Sequence, residues 1–191
     1  TLRGILTFAG QTYSAASSDD AARIYDETAV IMNGLRDHLA AAGHTGLEIS
    51  VGDTPGCSAK DHFHGVDEIR PGTMVFYDVM QTVLGACHED DIAIAVGCPV
   101  IAKYADRLEL VIYGGAVHFS RDWMRLPDST TIFGWVTTFN DTGWNRAADG
   151  CYVADLSQEI GVVRVTQAFF DSVTVGDVLA ILPVHACLTV N

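Results

Sequence analysis

The chain has 191 residues, 49% of them hydrophobic and 18% charged, so it can bury a core and is too apolar to be disordered. Its net charge is −13 with only 11 Lys plus Arg, and it has no basic run, which argues against nucleic acid and anionic membrane as partners. No apolar run approaches the roughly 20 residues of a membrane span, and the opening TLRGILTFAG lacks the charged region that precedes the core of a signal peptide. Cys57, Cys87, Cys98, Cys151 and Cys187 are scattered, odd in number and form no CxxC pair, which fits a reduced, cytoplasmic chain better than a disulfide framework. Thr1 is not an initiator Met and Asn191 closes a strand-like run, so the chain is expected to be a piece of a longer polypeptide.

In chain order, LRGILTFAG reads as a core strand that turns at Gly10. SSDDAARIYDETAVIMNGLRDHLAAAG reads as a helix. Ser17 or Ser18 caps it, Asp19 and Asp20 suit its positive N-terminus, Ile24, Ile31, Leu35 and Leu39 recur at helical spacing, and Gly43 stops it. LEISVGD is a second strand, left by TPGCSAK as a loop, and GTMVFYDVM is strand-like again. Strand, helix, strand is the α/β pattern, in which loops at strand C-termini carry the chemistry. From about residue 83 onward no long amphipathic helix appears. DIAIAVGCPVIAKY, RLELVIYGG, TIFGWVTTF, CYVADLSQEIGVVRV and VGDVLAILPVHACLTV are β-type runs broken by Gly, Asp and Pro. The expected fold is therefore α/β over residues 1–82 followed by an all-β module over 83–191.

Four stretches hold chemistry. SVGDTPGCS follows a strand, and its backbone N–H groups and hydroxyls suit a phosphate, although an ordinary turn has the same composition. In DEIRPGTMVFYD, Gly72 lets the backbone approach a ligand closely and Arg70 is an always-charged donor, unless it merely pairs with Asp67 or Glu68. YGGAVHFSRD places His118 beyond a Gly-Gly pair, where a structural histidine is the plain alternative. Tyr13 follows a strand end and could face a cofactor or fill the core. At the C-terminus, His185 and Cys187 stand two apart. If the chain is extended there, they share a face and could hold one transition-metal ion from one strand. The alternative is a small buried thiol beside an ordinary rim histidine.

Taken in order, GDTPGCS, DEIRPGTMVFYDVMQ, GGAVHFSRD, LSQE followed by GVV, and LPVHACLTVN resemble the D-serine dehydratase and D-threonine aldolase family. These are pyridoxal-phosphate enzymes of the alanine-racemase-like fold type, and the resemblance runs over nearly the whole chain. It implies the C-terminal part of an α/β barrel completed by a β domain, pyridoxal 5'-phosphate and zinc as cofactors, a D-amino acid as substrate, and a homodimer. By position it implies His185 and Cys187 as metal ligands, Gly52 and Thr54 in a phosphate-binding loop, and Gly72 and Thr73 as backbone contacts to the same phosphate. It further implies Arg70 facing the pyridine nitrogen and Tyr13 beside the cofactor as a catalytic residue.

The sequence departs from that family in places. The Schiff-base lysine lies in an N-terminal barrel segment, and this chain has only Lys60, in a polar loop, and Lys103, beside Asp106 and Arg107 where an exposed ammonium is expected. Ile160 stands where a His usually follows the Glu of LSQE, and Phe8 and Gln11 stand where relatives often have His. The implied activity is a pyridoxal-phosphate- and zinc-dependent lyase acting on D-hydroxy amino acids, by dehydration or by retro-aldol cleavage. The alternative is a non-catalytic fragment or metal- and phosphate-binding module, because these residues alone lack the lysine.

Overall fold

In a computed structural model, contacts divide the chain into two units. The first takes the chain up to Val75 together with Gln81–His88. The second takes Phe76–Met80 and everything from Glu89 onward. The structure describes residues 2–190, and Thr1 and Asn191 lie outside the described residues.

The first unit is built on three parallel strands, β1 (Gly4–Phe8), β2 (Glu48–Gly52) and β3 (Glu68–Arg70). Phe8 pairs with Gly52 and Gly52 with Arg70, so the strands end in one row and release their loops at one edge. The long helix α1 (Ser18–Ala41) links β1 to β2. Ser17 caps it by accepting from the Asp20 N–H, and Gly43 follows it at φ +93°, a conformation that suits glycine. The stripe that α1 buries is Ala21, Tyr25, Ala29 and Met32, not the expected one, since Ile31 and Leu35 face outward. Small alanines let the helix approach the sheet closely, and Tyr25, Ala29 and Met32 pack there with Ile49, Val51 and Cys57. The opposite sheet face carries Leu6, Phe8, Ser50, Gly52, Glu68 and Arg70 in register, with Leu6 71% and Phe8 61% exposed. Two expected elements differ. TPGCS is a short helix, α2 (Thr54–Ser58), and not a loop. The third strand lies in EIR, and GTMVFYDVM is turn and helix start, including the short helix α3 (Val79–Val83). Pro71 offers no N–H to continue the ladder, and Tyr77 sits at φ +47°.

The second unit is an antiparallel barrel. Its strands are β4 (Val96–Tyr104), β5 (Glu109–Tyr113), then after short pieces β6 (Met124–Arg125) and β7 (Thr131–Ile132), β8 (Gly134–Asn140) with its hairpin partner β9 (Gly143–Trp144), β10 (Tyr152–Leu156), β11 (Ile160–Arg164) and β12 (Val178–Pro183). The sheet order is β10-β11-β5-β4-β12-β8, and the β10–β8 pairing closes it on itself. Two short helices, α4 (Ala116–Phe119) and α5 (Gln167–Ser172), interrupt the strands, and a third, α6 (Ala186–Thr189), follows β12. Leu110, Ile112, Val136, Val163, Leu179 and Ile181 fill the core, while Leu182 joins a second cluster with Val79, Ile92, Ile132 and Val184. Because β12 buries both faces, its sequence is a continuous apolar run with no alternation.

Two expectations fail in this unit. The run ending in LPVHACLTV does not stay extended: the strand stops at Pro183 and a helical turn follows. Lys103 is not an exposed ammonium. Its Nζ donates to the Phe170 and Val173 carbonyls at the end of α5 and lies 4.2 Å from the centre of the Phe170 ring.

Gly114 and Gly115 bring the chain against the β10–β11 turn, where Gly114 N–H donates to Glu159 O and Ala116 N–H to Ser157 O. A Cβ on Gly115 would stand 2.6 Å from Gln158 O, a backbone atom that cannot swing aside. Gly115→Ala should therefore cost about 1–3 kcal/mol, read as a lower urea midpoint at unchanged slope.

Candidate functional site

The row of strand ends in the first unit gathers most of the residues singled out in its sequence. Arg70 lies across the sheet: Nε donates to Ser50 Oγ at 2.6 Å and Nη2 to the Thr7 carbonyl at 2.8 Å, with Glu68 at 3.8 Å. Its guanidinium covers Gly52, where a Cβ would come 3.1 Å from Nη1. A side chain there would be crowded, and the guanidinium would have to shift by a few tenths of an ångström to admit it. The two glycine-bearing loops meet. Thr73 N–H and Thr73 Oγ1 both donate to Thr54 Oγ1 at 3.0 Å, and both threonines are buried. Gly72, one residue earlier, is exposed, and a Cβ there would touch nothing. Tyr13 lies in a 3-10 turn (Gly10–Ser14) leaving the same strand edge, its ring 5.9 Å from that of Phe8.

Beneath these loops sits Asp53, fully buried and at φ +144°, a strained conformation for any residue with a Cβ. Its Oδ1 accepts from Gly56 N–H at 2.5 Å and contacts Thr12 Oγ1 at 2.9 Å. One carboxyl thus ties the Tyr13 turn to the start of α2. The Thr12 hydroxyl also lies 2.9 Å from Ala9 O and has one proton for two acceptors, which a proton on Asp53 would complete. Burial pushes the Asp53 carboxyl up from its ordinary value, against the hydrogen bonds that lower it. Burial likewise raises the neighbouring Cys57 thiol, to about 12. Lys60 lies in the polar loop after α2, as expected, and there it is paired. Its Nζ holds both Asp26 oxygens at 2.8 Å.

In the second unit, His185 and Cys187 flank Ala186 at the start of α6, His185 as the extended N-cap residue and Cys187 within the helical turn. The pair is therefore joined by a turn and not by one strand face. Asp78, with no exposed surface, accepts the Ala186 N–H at 3.0 Å and stands 3.8 Å from His185 Nδ1. Partial burial, then the negative charges of Asp78 and Asp122, push the Cys187 thiol upward. An imidazole, a thiol and adjoining negative charge form a donor set that suits a divalent transition metal. Among the described residues no group of three or more His, Cys, Asp and Glu is assembled for a metal. His118 has local partners: its Nδ1 accepts the Gly115 N–H at 3.1 Å and its ring stands edge-on to Tyr113. Sequence reasoning missed Asp53, Thr12 and Asp78, because a single Asp or Thr near a turn is most often a solvated turn residue. The available signal for Asp78 was its place in the otherwise apolar VFYDVM.

Two expectations follow for the first unit. Gly72→Ala should leave the thermal midpoint of a melting curve unchanged, since the added methyl meets open space. A carboxyl raised on folding contributes stability that is present at low pH and lost as pH climbs through its folded value. Melting curves of Asp53→Asn and wild type should therefore diverge in favour of Asn as pH rises above the ordinary carboxylate range, and parallel curves would contradict this.

The family described as "Putative serine dehydratase domain" matches residues 93–191. A D-serine dehydratase of Dictyostelium discoideum is 30% identical over 196 residues, which is 98% of this chain and 48% of that protein. An alanine-racemase-like protein of Idiomarina loihiensis superposes with a TM-score of 0.86 at 28% identity, over 98% of this chain and 50% of that one. D-threo-3-hydroxyaspartate dehydratase from Delftia sp. HT23 superposes with a TM-score of 0.85 at 29% identity, over 98% and 50%. Structures of the D-threo-3-hydroxyaspartate dehydratase include a Cys-to-Ala mutant described as metal-free and a His-to-Ala mutant two positions earlier. The chain spans about half the length of the curated relatives it matches.

Proposed function

This chain belongs to the family of that serine dehydratase domain, and from that premise we propose that the polypeptide containing it is a lyase that removes water from a D-3-hydroxy amino acid, using pyridoxal phosphate and zinc. The observation that carries this reading is the His185-x-Cys187 pair beside a buried carboxylate. Its spacing is that of the His and Cys substituted in the D-threo-3-hydroxyaspartate dehydratase, whose Cys-to-Ala mutant is described as metal-free. Dehydration is preferred to retro-aldol cleavage because the curated relatives are named dehydratases.

When bound, the cofactors supply an electron sink for a negative charge at Cα and a Lewis acid for the departing hydroxyl. The chain's own residues bind and orient. His185 and Cys187 would hold the metal and leave positions open for the substrate hydroxyl, as a catalytic site requires. Thr73, whose N–H and hydroxyl both donate to Thr54, would fix the loop from which exposed Gly72 presents its backbone N–H to the cofactor phosphate, and Gly52 leaves room for Arg70 to lie across the strand end. Arg70, fixed by Ser50 and Thr7, would offer a permanent positive charge to the pyridine nitrogen. Tyr13 would stand at the same strand edge as a cofactor-facing group. We read the three parallel strands as part of an α/β barrel whose remaining strands, with the reactive lysine, belong to other residues of the polypeptide. Neither lysine here fits that role: Lys60 is held by Asp26, and the Lys103 ammonium is spent on backbone carbonyls.

The test is release of a 2-oxo acid and ammonia from D-serine and D-threo-3-hydroxyaspartate by the whole polypeptide. Turnover should fall to background in Cys187→Ala and after chelation, and return in the wild type when zinc is restored. Full turnover in the presence of chelator would remove the metal from the reaction.

A further inference from the structure

We propose that Asp78 is a positioning residue for the His185–Cys187 pair: it holds the turn between them and takes the Nδ1–H of His185, which leaves Nε2 and the Cys187 thiol to the cation. This inference rests on the metal reading above and names the group that orients it.

Three observations carry it. Asp78 is wholly buried, and its Oδ2 accepts the N–H of Ala186, the one residue between the two ligands. A single carboxylate oxygen therefore sets the backbone from which both side chains leave. The same oxygen is the acceptor that faces His185 Nδ1, at 3.8 Å, and Nδ1 is buried with no hydrogen-bond partner. The side chain is 21% exposed, so its accessible part lies elsewhere on the ring. A buried imidazole nitrogen next to a buried carboxylate gains most by carrying its proton towards it. With the proton on Nδ1, the lone pair is on Nε2. Metal-bound histidines are commonly fixed in this way by a carboxylate on the second nitrogen.

The third observation is how Asp78 is held. Tyr77 immediately before it has φ +47°, a left-handed conformation that a bulky residue adopts only when its surroundings impose it. The bonds that impose it lie on both sides: Ala93 N–H donates to Phe76 O at 2.7 Å, and Met80 N–H donates to Val184 O at 3.1 Å. The second bond ties the Asp78 segment to the residue just before His185. The strained turn thus delivers a carboxylate to one place, against the His-x-Cys turn, and the apolar cluster of Val79, Ile92, Leu182 and Val184 locks it there.

The experiment uses the whole polypeptide, with cobalt(II) alone as the probe and a chelator in competition. Wild type should bind one cobalt per chain with a thiolate charge-transfer band that Cys187→Ala loses. Asp78→Asn keeps an oxygen for the Ala186 N–H, so the metal-free protein should melt as wild type does and the band should persist. Its cobalt affinity should nevertheless fall about 10- to 100-fold, the loss typical of an outer carboxylate partner. Unchanged affinity in Asp78→Asn overturns the inference while leaving the metal reading intact. Loss of the band in Asp78→Asn with normal melting also overturns it, because Asp78 would then be a ligand. A wild type that binds no cobalt, or binds it equally well in Cys187→Ala, overturns the metal reading and this inference together. Nitrogen-15 NMR of His185 in the zinc-loaded wild type gives a second reading that depends on no variant: a protonated Nδ1 with a metal-shifted Nε2 is expected, and a metal-shifted Nδ1 overturns the proposal.

Discussion

A carboxylate taken out of water must be answered by donors, and each unit of this chain is arranged around one such group. Asp53 and Asp78 have no exposed surface. Asp53 gathers the Gly56 N–H and the Thr12 hydroxyl, and Asp78 gathers the Ala186 N–H and faces an imidazole nitrogen. In each case the donors belong to the turns that carry the candidate site residues: Thr12 adjoins Tyr13, Gly56 follows Thr54, and Ala186 lies between His185 and Cys187. Removing an acid of this kind leaves several buried donors unanswered at once, so the turns cannot relax independently of it. In both cases the backbone is also strained, at Asp53 itself and at Tyr77 before Asp78. Strain of this sort persists only where the surrounding bonds fix the geometry more firmly than the chain would choose.

The parts of the fold that depend on local chemistry were readable from the sequence. Ser17, Asp19, Asp20 and Gly43 mark the ends of α1 by their own hydrogen-bonding and φ preferences, and the β-rich composition after residue 83 corresponds to strands such as the 9-residue β4 and the 7-residue β8, with only short helices between them. What failed depended on distant partners. Hydrophobicity pointed to Ile31 and Leu35 as the buried face of α1. The sheet instead takes the Ala21–Tyr25–Ala29 side, because close approach of a helix to a sheet favours small side chains. The closure of the barrel through β10 and β8 joins Gly134 to Val153 and Trp135 to Tyr152, and no local pattern records which strands meet.

The same distinction applies to the site. Residue types at short spacing, His185 with Cys187 and Gly72 with Thr73, carry their chemistry in the sequence. The groups that orient them do not, since Asp78 reaches Ala186 across 108 positions and Asp53 reaches Thr12 across 41. The geometry of His185 and Cys187 was misread for a related reason. Two positions apart share a face only if the chain stays extended. Here Pro183 ends β12, and Asp78 accepts the Ala186 N–H at the first residue of a helical turn.

The two lysines complete the division of labour that the structure supports. An amine that is to bond to a carbonyl needs its lone pair, and an ammonium held as a charged donor by fixed acceptors does not offer it. Lys60 reaches both oxygens of Asp26, and Lys103 reaches two backbone carbonyls above an aromatic ring. Freeing either would leave those acceptors without their donor. Lys103 in particular closes the end of α5 by answering the carbonyls of Phe170 and Val173, which a short helix leaves without partners. The cationic groups of this chain are thus committed to structure or, in Arg70, to a fixed charge at the strand ends. What stays accessible is the Gly72 backbone at those strand ends and, at the His-x-Cys turn, the Cys187 thiol with part of the His185 ring: uncharged donors and soft ligands, where the lysines offer only committed ammonium groups.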